Sequence, residues 1–184
     1  RIKNNLQGVA GLLQQNAARR PEVADVLSEA VGQVQAIAQV YGLQVGAGGP
    51  LAVVGLLRAI AQSLQRNFGC PIEVALAQEI PHVLPEPESI PVALTVNELL
   101  TNAIKHSQGG EVRCEVRAVG DDIHIRISSP GSLPPGFDLA QVRGGVSGLG
   151  LVRALLPRRS ATLTLTQQGD DVVAALALRP PSVR

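Results

Sequence analysis

The first 45 residues carry two long helical patterns that need a further partner. Apolar residues recur at three- and four-residue spacing over residues 1–18 and again over residues 22–45, and Pro21 suits the first turn of the second helix. Two antiparallel helices with one apolar stripe each cannot bury both stripes by themselves. The pattern therefore predicts a helical hairpin that pairs with a second copy in a four-helix bundle, which is a homodimer through residues 1–45.

A glycine-rich break follows the hairpin. The segment Gly-Ala-Gly-Gly-Pro at 46–50 is typical of a flexible connection. We therefore predict two domains, a helical hairpin over residues 1–46 and a second domain over residues 47–184.

The second domain mixes helices and strands without strict alternation. Helical patterns cover residues 51–67, a segment that ends near Ser107, and a short stretch at 149–156. A predicted loop precedes the second of these helices and contains Pro81, Pro85, Pro87 and Pro91. Strand patterns cover 72–77, 111–118, 123–128, 161–167 and 171–178. This order of elements predicts an α+β sandwich.

Charge and aromatic content exclude several classes of partner. With 16 Lys+Arg against 15 Asp+Glu and only 2% aromatic residues, we expect no nucleic-acid partner. No apolar run reaches the roughly 18 to 20 residues that a membrane helix needs, so we expect no membrane contact by this part of the protein and a cytoplasmic location. Cys70 and Cys114 are far apart and are predicted to be free thiols. Because the sequence lacks methionine, we expect a fragment or a processed product.

The segment 97–106 carries the chemistry-bearing side chains. On a helical wheel its polar residues fall on one half and its leucines, Ala103 and Ile104 on the other. The polar half comprises Asn97, Glu98, Thr101, Asn102, Lys105 and His106. Amide and carboxylate oxygens suit Mg²⁺, and a lysine one turn further suits a phosphate. The alternative is a surface helix with a solvated face.

A glycine-rich loop at 144–151 runs into the last predicted helix. Glycines allow a ligand to approach the backbone closely, and the N-terminus of the following helix offers free N–H groups to an anion. The spacing does not match a P-loop or a dinucleotide-binding motif. By itself the loop is weak evidence for a site, since most glycine-rich loops are simply turns or flexible lids.

Together these segments resemble one known family. Asn-Glu-Leu-Leu-Thr-Asn-Ala-Ile-Lys-His at 97–106 is similar to the N box of the GHKL superfamily of ATPases and kinases, and Gly148-Leu149-Gly150-Leu151 is similar to its second glycine box. The opening Arg-Ile-Lys-Asn-Asn-Leu-Gln resembles the phosphoacceptor helix of bacterial sensor histidine kinases of the second HisKA type. The resemblance implies a dimerising phosphotransfer hairpin followed by a Bergerat-type ATP-binding domain with a mixed five-stranded sheet.

The resemblance also implies a role for each matching residue. Asn102 would bind Mg²⁺, Glu98 would polarise water or orient the metal shell, and Lys105 would approach the phosphates of ATP with His106 beside it. The loop that would close over the triphosphate contains Gly145, Ser147, Gly148, Leu149 and Gly150. The implied reaction transfers the γ-phosphoryl group of ATP to a histidine and then to an aspartate of a response regulator.

The chain departs from the family pattern in two places. The acceptor histidine should stand immediately before Arg1, outside this sequence. The adenine-binding Asp of the first glycine box is replaced by Ser128 or Ser129, shortly before Gly131, which predicts weakened adenine recognition because a hydroxyl lacks charge assistance. An alternative function is therefore a non-ATPase phosphotransferase or scaffold with a vestigial nucleotide domain. An anti-sigma-factor serine kinase is disfavoured, because those proteins lack the opening hairpin.

Overall fold

The chain begins with a helical hairpin, as predicted. The computed structural model describes residues 1–47, 50–156 and 159–184, and the side chains of 45–47 are left out of the description. Helix α1 covers Ile2–Arg19, a 3₁₀ turn covers Pro21–Val23, and α2 covers Ala24–Ala47. Part of the predicted break at 46–50 lies outside the described residues. Among the described residues, no helix has both the length and the hydropathy to cross a membrane.

The hairpin is followed by an α+β sandwich with a mixed five-stranded sheet, which confirms the predicted fold class. Its helices are α3 (Val53–Phe68), α4 (Glu86–His106) and α5 (Gly148–Leu155). Its main strands are β2 (Ile72–Leu76), β4 (Val112–Val119), β5 (Asp122–Pro130), β6 (Ala161–Gln168) and β7 (Asp171–Leu178). They are ordered β2-β4-β5-β7-β6. Only the pair β2–β4 is parallel among the described strands.

A second, two-stranded sheet was missed by the sequence analysis. Strand β1 (Leu51–Ala52) pairs antiparallel with β3 (Val83–Leu84), so the predicted helix at 51–67 begins two residues late and the predicted proline-rich loop contains a strand. The placement of Pro87 and Pro91 in a loop was also wrong. Both lie inside α4, where Pro87 is in the first turn and needs no helical N–H partner.

Alternation along the strands places the core on the helical side of the sheet. In β4, Val112, Cys114 and Val116 are buried, whereas Arg113 and Arg117 point to the other, exposed face. Helices α3 and α4 cover the buried face with large apolar side chains such as Leu57, Ile60, Leu99 and Leu100. Both cysteines are free, and burial raises the pKa of the Cys114 thiol to about 12.

The hairpin packs against the second domain through α2. Val40 is 1% exposed and belongs to the same apolar core as α3 and α4. The side-chain amide of Asn67 in α3 donates a hydrogen bond of 2.6 Å to Gln35 in α2. Gly32 lies so close to α4 that a Cβ added to it would sit 3.6 Å from Nδ2 of Asn97. The hairpin therefore has one face covered by α3 and α4.

Candidate functional site

Helix α4 presents its polar side chains to two different surroundings. Asn97 and Glu98 are only 4% and 6% exposed, because α2 and the glycine-rich loop cover them. The interpretation of this segment as a solvated surface face is therefore wrong for these two residues. Lys105 and His106, near the end of the helix, are exposed. Two of the polar residues of the N-box helix are therefore buried, and two are exposed to solvent.

The Glu98 carboxylate connects three elements. Its Oε1 accepts a hydrogen bond of 3.1 Å from Nε2 of Gln33 in α2, and its Oε2 accepts one of 3.1 Å from the backbone N–H of Gly148 at the start of α5. Burial raises the pKa of Glu98, and these two hydrogen bonds offset part of that rise because they stabilise the ionised form. Glu29 also raises this pKa and Lys105 lowers it. The result is a buried carboxylate that accepts one hydrogen bond from α2 and one from the start of α5, where the glycine-rich loop ends.

Lys105 lies beside the hairpin at the solvent boundary. Its Nζ is 3.9 Å from Oε1 of Glu29, and the two side chains are 45% and 37% exposed. An exposed pair of this length contributes little to stability. Lys105 and Glu98 line the same cavity of about 440 Å³, which lies between the hairpin and helices α3 and α4. Because the pair with Glu29 contributes little to stability, Lys105 could leave it and contact an anion with little loss of free energy.

Asn102 lies on the sheet side of α4. It lines a cavity of about 20 Å³ together with His106 and Ser129, among apolar side chains of the sheet. This volume holds about one water molecule. Ser129 is 5% exposed and belongs to this cavity, whereas Ser128 neighbours Arg113 and Val173 on the opposite face of β5. Of the two serines proposed for the adenine position, only Ser129 therefore faces the N-box helix.

Glycines in the first turn of α5 allow the preceding loop to approach the helix backbone closely. A Cβ on Gly150 would sit 2.7 Å from the carbonyl oxygen of Arg143 and 3.0 Å from the nitrogen of Gly145. Gly148 has a φ of +59°, a value that favours glycine. Ser147 immediately precedes α5 and Leu149 packs partly against the core. The loop is a compact turn held against its own helix.

Gly131 follows β5 and lies where the end of this strand contacts the end of α4. A Cβ there would sit 2.9 Å from the carbonyl oxygen of His106, and the Gly131 N–H donates to the carbonyl of Asp170 at 3.0 Å. The chain after α4 is held to the same place, since the N–H of Gln108 donates to the carbonyl of Pro130 at 3.0 Å. The end of β5 is thereby held against the end of α4, near the cavity that Ser129 and Asn102 line.

Two family models match the sequence. The model described as histidine kinase, of the second HisKA type, matches residues 1–66. The model described as histidine kinase-, DNA gyrase B- and HSP90-like ATPase matches residues 88–178. The chain belongs to the histidine kinases of the second HisKA type. A comparison of this histidine kinase with curated proteins gives no match.

Solved structures share the fold of this histidine kinase. The histidine kinase domain of the blue-light activated kinase EL346 from Erythrobacter litoralis matches with a TM-score of 0.69 at 19% identity, covering 96% of this chain and 91% of that chain. The histidine kinase AdeS of Acinetobacter baumannii matches with a TM-score of 0.57 at 19% identity, covering 86% and 80%. A structure described as a bacterial phosphotransferase matches with a TM-score of 0.51 at 15% identity, covering 95% and 89%. At these identities the matches establish the fold alone.

Two residues on α2 contact the candidate site of the kinase and were not predicted from the sequence. Glu29 and Gln33 both lie on α2 and reach Lys105 and Glu98 of α4. Their spacing of one helical turn places them on one face of α2. That spacing alone gives no signal of a partner, because a polar pair on a helix is usually solvated. The contact depends on how α2 packs against α4, which no local pattern encodes.

Proposed function

We propose that the chain is the core of an ATP-dependent protein-histidine kinase in two-component signalling. The γ-phosphoryl group of ATP would pass to a nitrogen of a histidine immediately upstream of Arg1 and then to an aspartate of a response-regulator receiver domain. The main support is the meeting of the N-box helix with the glycine-rich loop, where Glu98 Oε2 lies 3.1 Å from the Gly148 nitrogen. Family membership supports the same assignment.

The side chains of the N-box helix and the start of α5 would together bind the phosphates and Mg²⁺. The Asn102 amide oxygen is a hard ligand of the kind that Mg²⁺ accepts, and the metal would neutralise phosphate charge. Exposed Lys105 would contact the phosphates directly, with His106 one residue further. The N–H groups at the start of α5, after Gly145, Ser147 and Gly148, would bind phosphate oxygens. Glu98 would polarise water or orient the metal shell.

The residues at the proposed adenine position fit ATP less well than those at the proposed phosphate position. Ser129 offers a hydroxyl where the family pattern has a carboxylate, and the adjoining cavity of about 20 Å³ is too small for a base. Adenine would require this cavity to widen between α4 and the end of β5. Gly131 would keep its position as the junction of the two elements. We therefore propose that ATP binds with weaker base recognition than the family pattern provides.

Dimerisation through residues 1–45 completes the proposed function. The hairpin leaves large apolar side chains exposed on the side that α3 and α4 do not cover. Those on α1 are Ile2, Val9 and Leu12, at 52%, 46% and 62% exposure. A second hairpin would bury them and form the four-helix bundle in which a receiver domain docks, in the cytoplasm.

A second candidate function is a phosphotransferase or scaffold that does not use ATP. The observations that favour it are Ser129 in the adenine position and the small cavity beside it. In this case the hairpin would bind the response regulator and the nucleotide domain would be vestigial. Binding of an ATP analogue with Mg²⁺ at micromolar concentration would exclude this candidate.

The test of the kinase proposal combines labelled ATP with one substitution. The protein, with its native residues before Arg1, is incubated with γ-labelled ATP and Mg²⁺. We expect an acid-labile phosphohistidine that disappears in Asn102→Ala, because this variant loses the metal ligand, whereas Asn102 is only half-buried and its truncation should leave the fold intact. Asn16→Ala, an exposed asparagine on α1, is the matched control and should retain the label. Absence of phosphohistidine in the wild type, or a normal rate in Asn102→Ala, would contradict the assignment.

A further inference from the structure

The hairpin, the N-box helix and the glycine-rich loop meet at one glutamine. The two hydrogens of the Gln33 side-chain amide are donated to different elements, one to Glu98 Oε1 at 3.1 Å and one to the carbonyl oxygen of Val146 at 3.0 Å. Glu98 in turn binds the Gly148 N–H through Oε2. We call Gln33, Glu98, Val146 and Gly148 the Gln33 latch. Its hydrogen bonds tie the hairpin to both parts of the candidate site.

Within the Gln33 latch, Glu98 lies where the loop would hold a phosphate. The start of α5 is a natural site for an anion, because its first N–H groups have no partner inside the helix. In this structure the Glu98 carboxylate accepts the hydrogen bond from Gly148. A phosphate oxygen that binds the same N–H must therefore displace Glu98. Gln33 opposes the displacement, since it holds the other carboxylate oxygen.

The docked hairpin also keeps the acceptor position away from the candidate site. Lys3 packs against Gly42 across the hairpin, which fixes the register of α1 against α2. With a rise of about 1.5 Å per residue, the position before Arg1 lies roughly 18 Å further along the hairpin axis than Gln33. Glu29, which pairs with Lys105, lies still further away, one turn in the opposite direction. Phosphoryl transfer needs the reacting atoms within about 3 to 3.5 Å.

We propose that Gln33 is a positioning residue that holds the kinase in a resting arrangement, with the loop closed on Glu98 and unavailable to the phosphates of ATP. This inference rests on the proposed ATP-dependent function and adds its regulation. Nucleotide binding or movement of the hairpin breaks the Gln33 latch. Either event releases Glu98 and the loop together, because the Gln33 side chain is hydrogen-bonded to both.

The experiment compares Gln33→Ala with Gln35→Ala on the same helix. Gln35 also connects α2 to the second domain, through Asn67, but it is not part of the Gln33 latch. A spin label is attached at Val146→Cys, an 86% exposed position, in a Cys70→Ser background, while Cys114 stays buried and unlabelled. The first readout is the mobility of the label. The second is the affinity for a non-hydrolysable ATP analogue with Mg²⁺.

Gln33→Ala should make the label at position 146 more mobile and tighten analogue binding by about 3- to 10-fold. Gln35→Ala should leave both readouts within about twofold of the parent, since it keeps every bond to Glu98 and to the loop. An unchanged label in Gln33→Ala, or equal effects of both substitutions, would overturn the proposal. If the label responds as expected but no variant binds the analogue, the Gln33 latch stands and the ATP-dependent function fails.

Discussion

Ser129 determines how the candidate adenine site can recognise a base. It is 5% exposed and shares its small cavity with Asn102, so a carboxylate there would be nearly dehydrated without a ligand. Ser129→Asp should therefore lower the stability of the unliganded protein by about 1 to 3 kcal/mol. With a nucleotide present, the charge-assisted hydrogen bond should tighten ATP binding by about tenfold.

Calorimetric titration with an ATP analogue and thermal unfolding with and without it measure both effects. Ser128→Asp, on the opposite face of the same strand, is the matched control and should not improve binding. If both aspartates tighten binding equally, the base does not contact Ser129.

The stability of the folded protein should depend on pH through Glu98, and the direction of this dependence follows from its raised pKa. Burial holds its pKa in the folded protein above the ordinary value of 4.5. Between 4.5 and the raised value the folded state binds more protons than the unfolded state, so stability falls as the pH rises and the loss persists at higher pH. Glu98→Gln cannot titrate. Over pH 4 to 8, its stability relative to the wild type should therefore improve as the pH rises past 4.5 and then level off once the pH exceeds the raised pKa of Glu98.

Urea unfolding across this pH range measures the difference in the free energy of unfolding between Glu98→Gln and the wild type. Glu79→Gln, at an exposed position, serves as the control. Parallel stability curves for wild type and Glu98→Gln would show that the Glu98 carboxyl titrates alike in the folded and unfolded chain.

The contact between α5 and the loop before it depends on Gly150 more than on Gly145. A Cβ on Gly150 would meet backbone atoms of Arg143 and Gly145 at 2.7 and 3.0 Å, and backbone cannot rotate away as a side chain can. A Cβ on Gly145 would meet only Gly150 Cα, at an ordinary 3.9 Å. Gly150→Ala should therefore cost about 1 to 3 kcal/mol of stability and weaken nucleotide binding. Gly145→Ala should cost well under half as much, as chemical unfolding of the two variants would show.

Local sequence patterns predicted the bounds of most helices and strands closely. They did not predict which elements pack against one another. Strand β7 was predicted at 171–178 and observed at Asp171–Leu178, since alternation and the Gly169 turn are both local signals. The pairing of Leu51 with Leu84 was missed because strands of two residues have no periodicity. The wheel correctly separated Asn97 and Glu98 from the leucines. It could not show that α2 buries them, because that depends on tertiary packing.

At the scale of the whole molecule, the uncovered side of the hairpin predicts self-association. Leu12 is 62% exposed on α1 and would enter the interface of the proposed dimer. Leu12→Glu places a charge in that interface in both subunits, so the dimer dissociation constant should rise at least about tenfold while the monomer stays folded. Sedimentation equilibrium measures the constant, and circular dichroism reports the helix content. Val119→Glu, 48% exposed at the end of β4, is the control. A wild-type monomer at high concentration would refute the dimer.

The parallel pair β2–β4 has a consequence for folding kinetics. The antiparallel pairs β4–β5 and β6–β7 are joined by two-residue turns at Gly120 and Gly169 and can form early, on a timescale of about microseconds. By contrast, β2 meets β4 only after the intervening chain, which includes α4, has crossed over the sheet. Completion of the sheet and placement of the N-box helix are therefore a single late event. Substitutions that loosen the seating of α4 should slow refolding as well as impair chemistry.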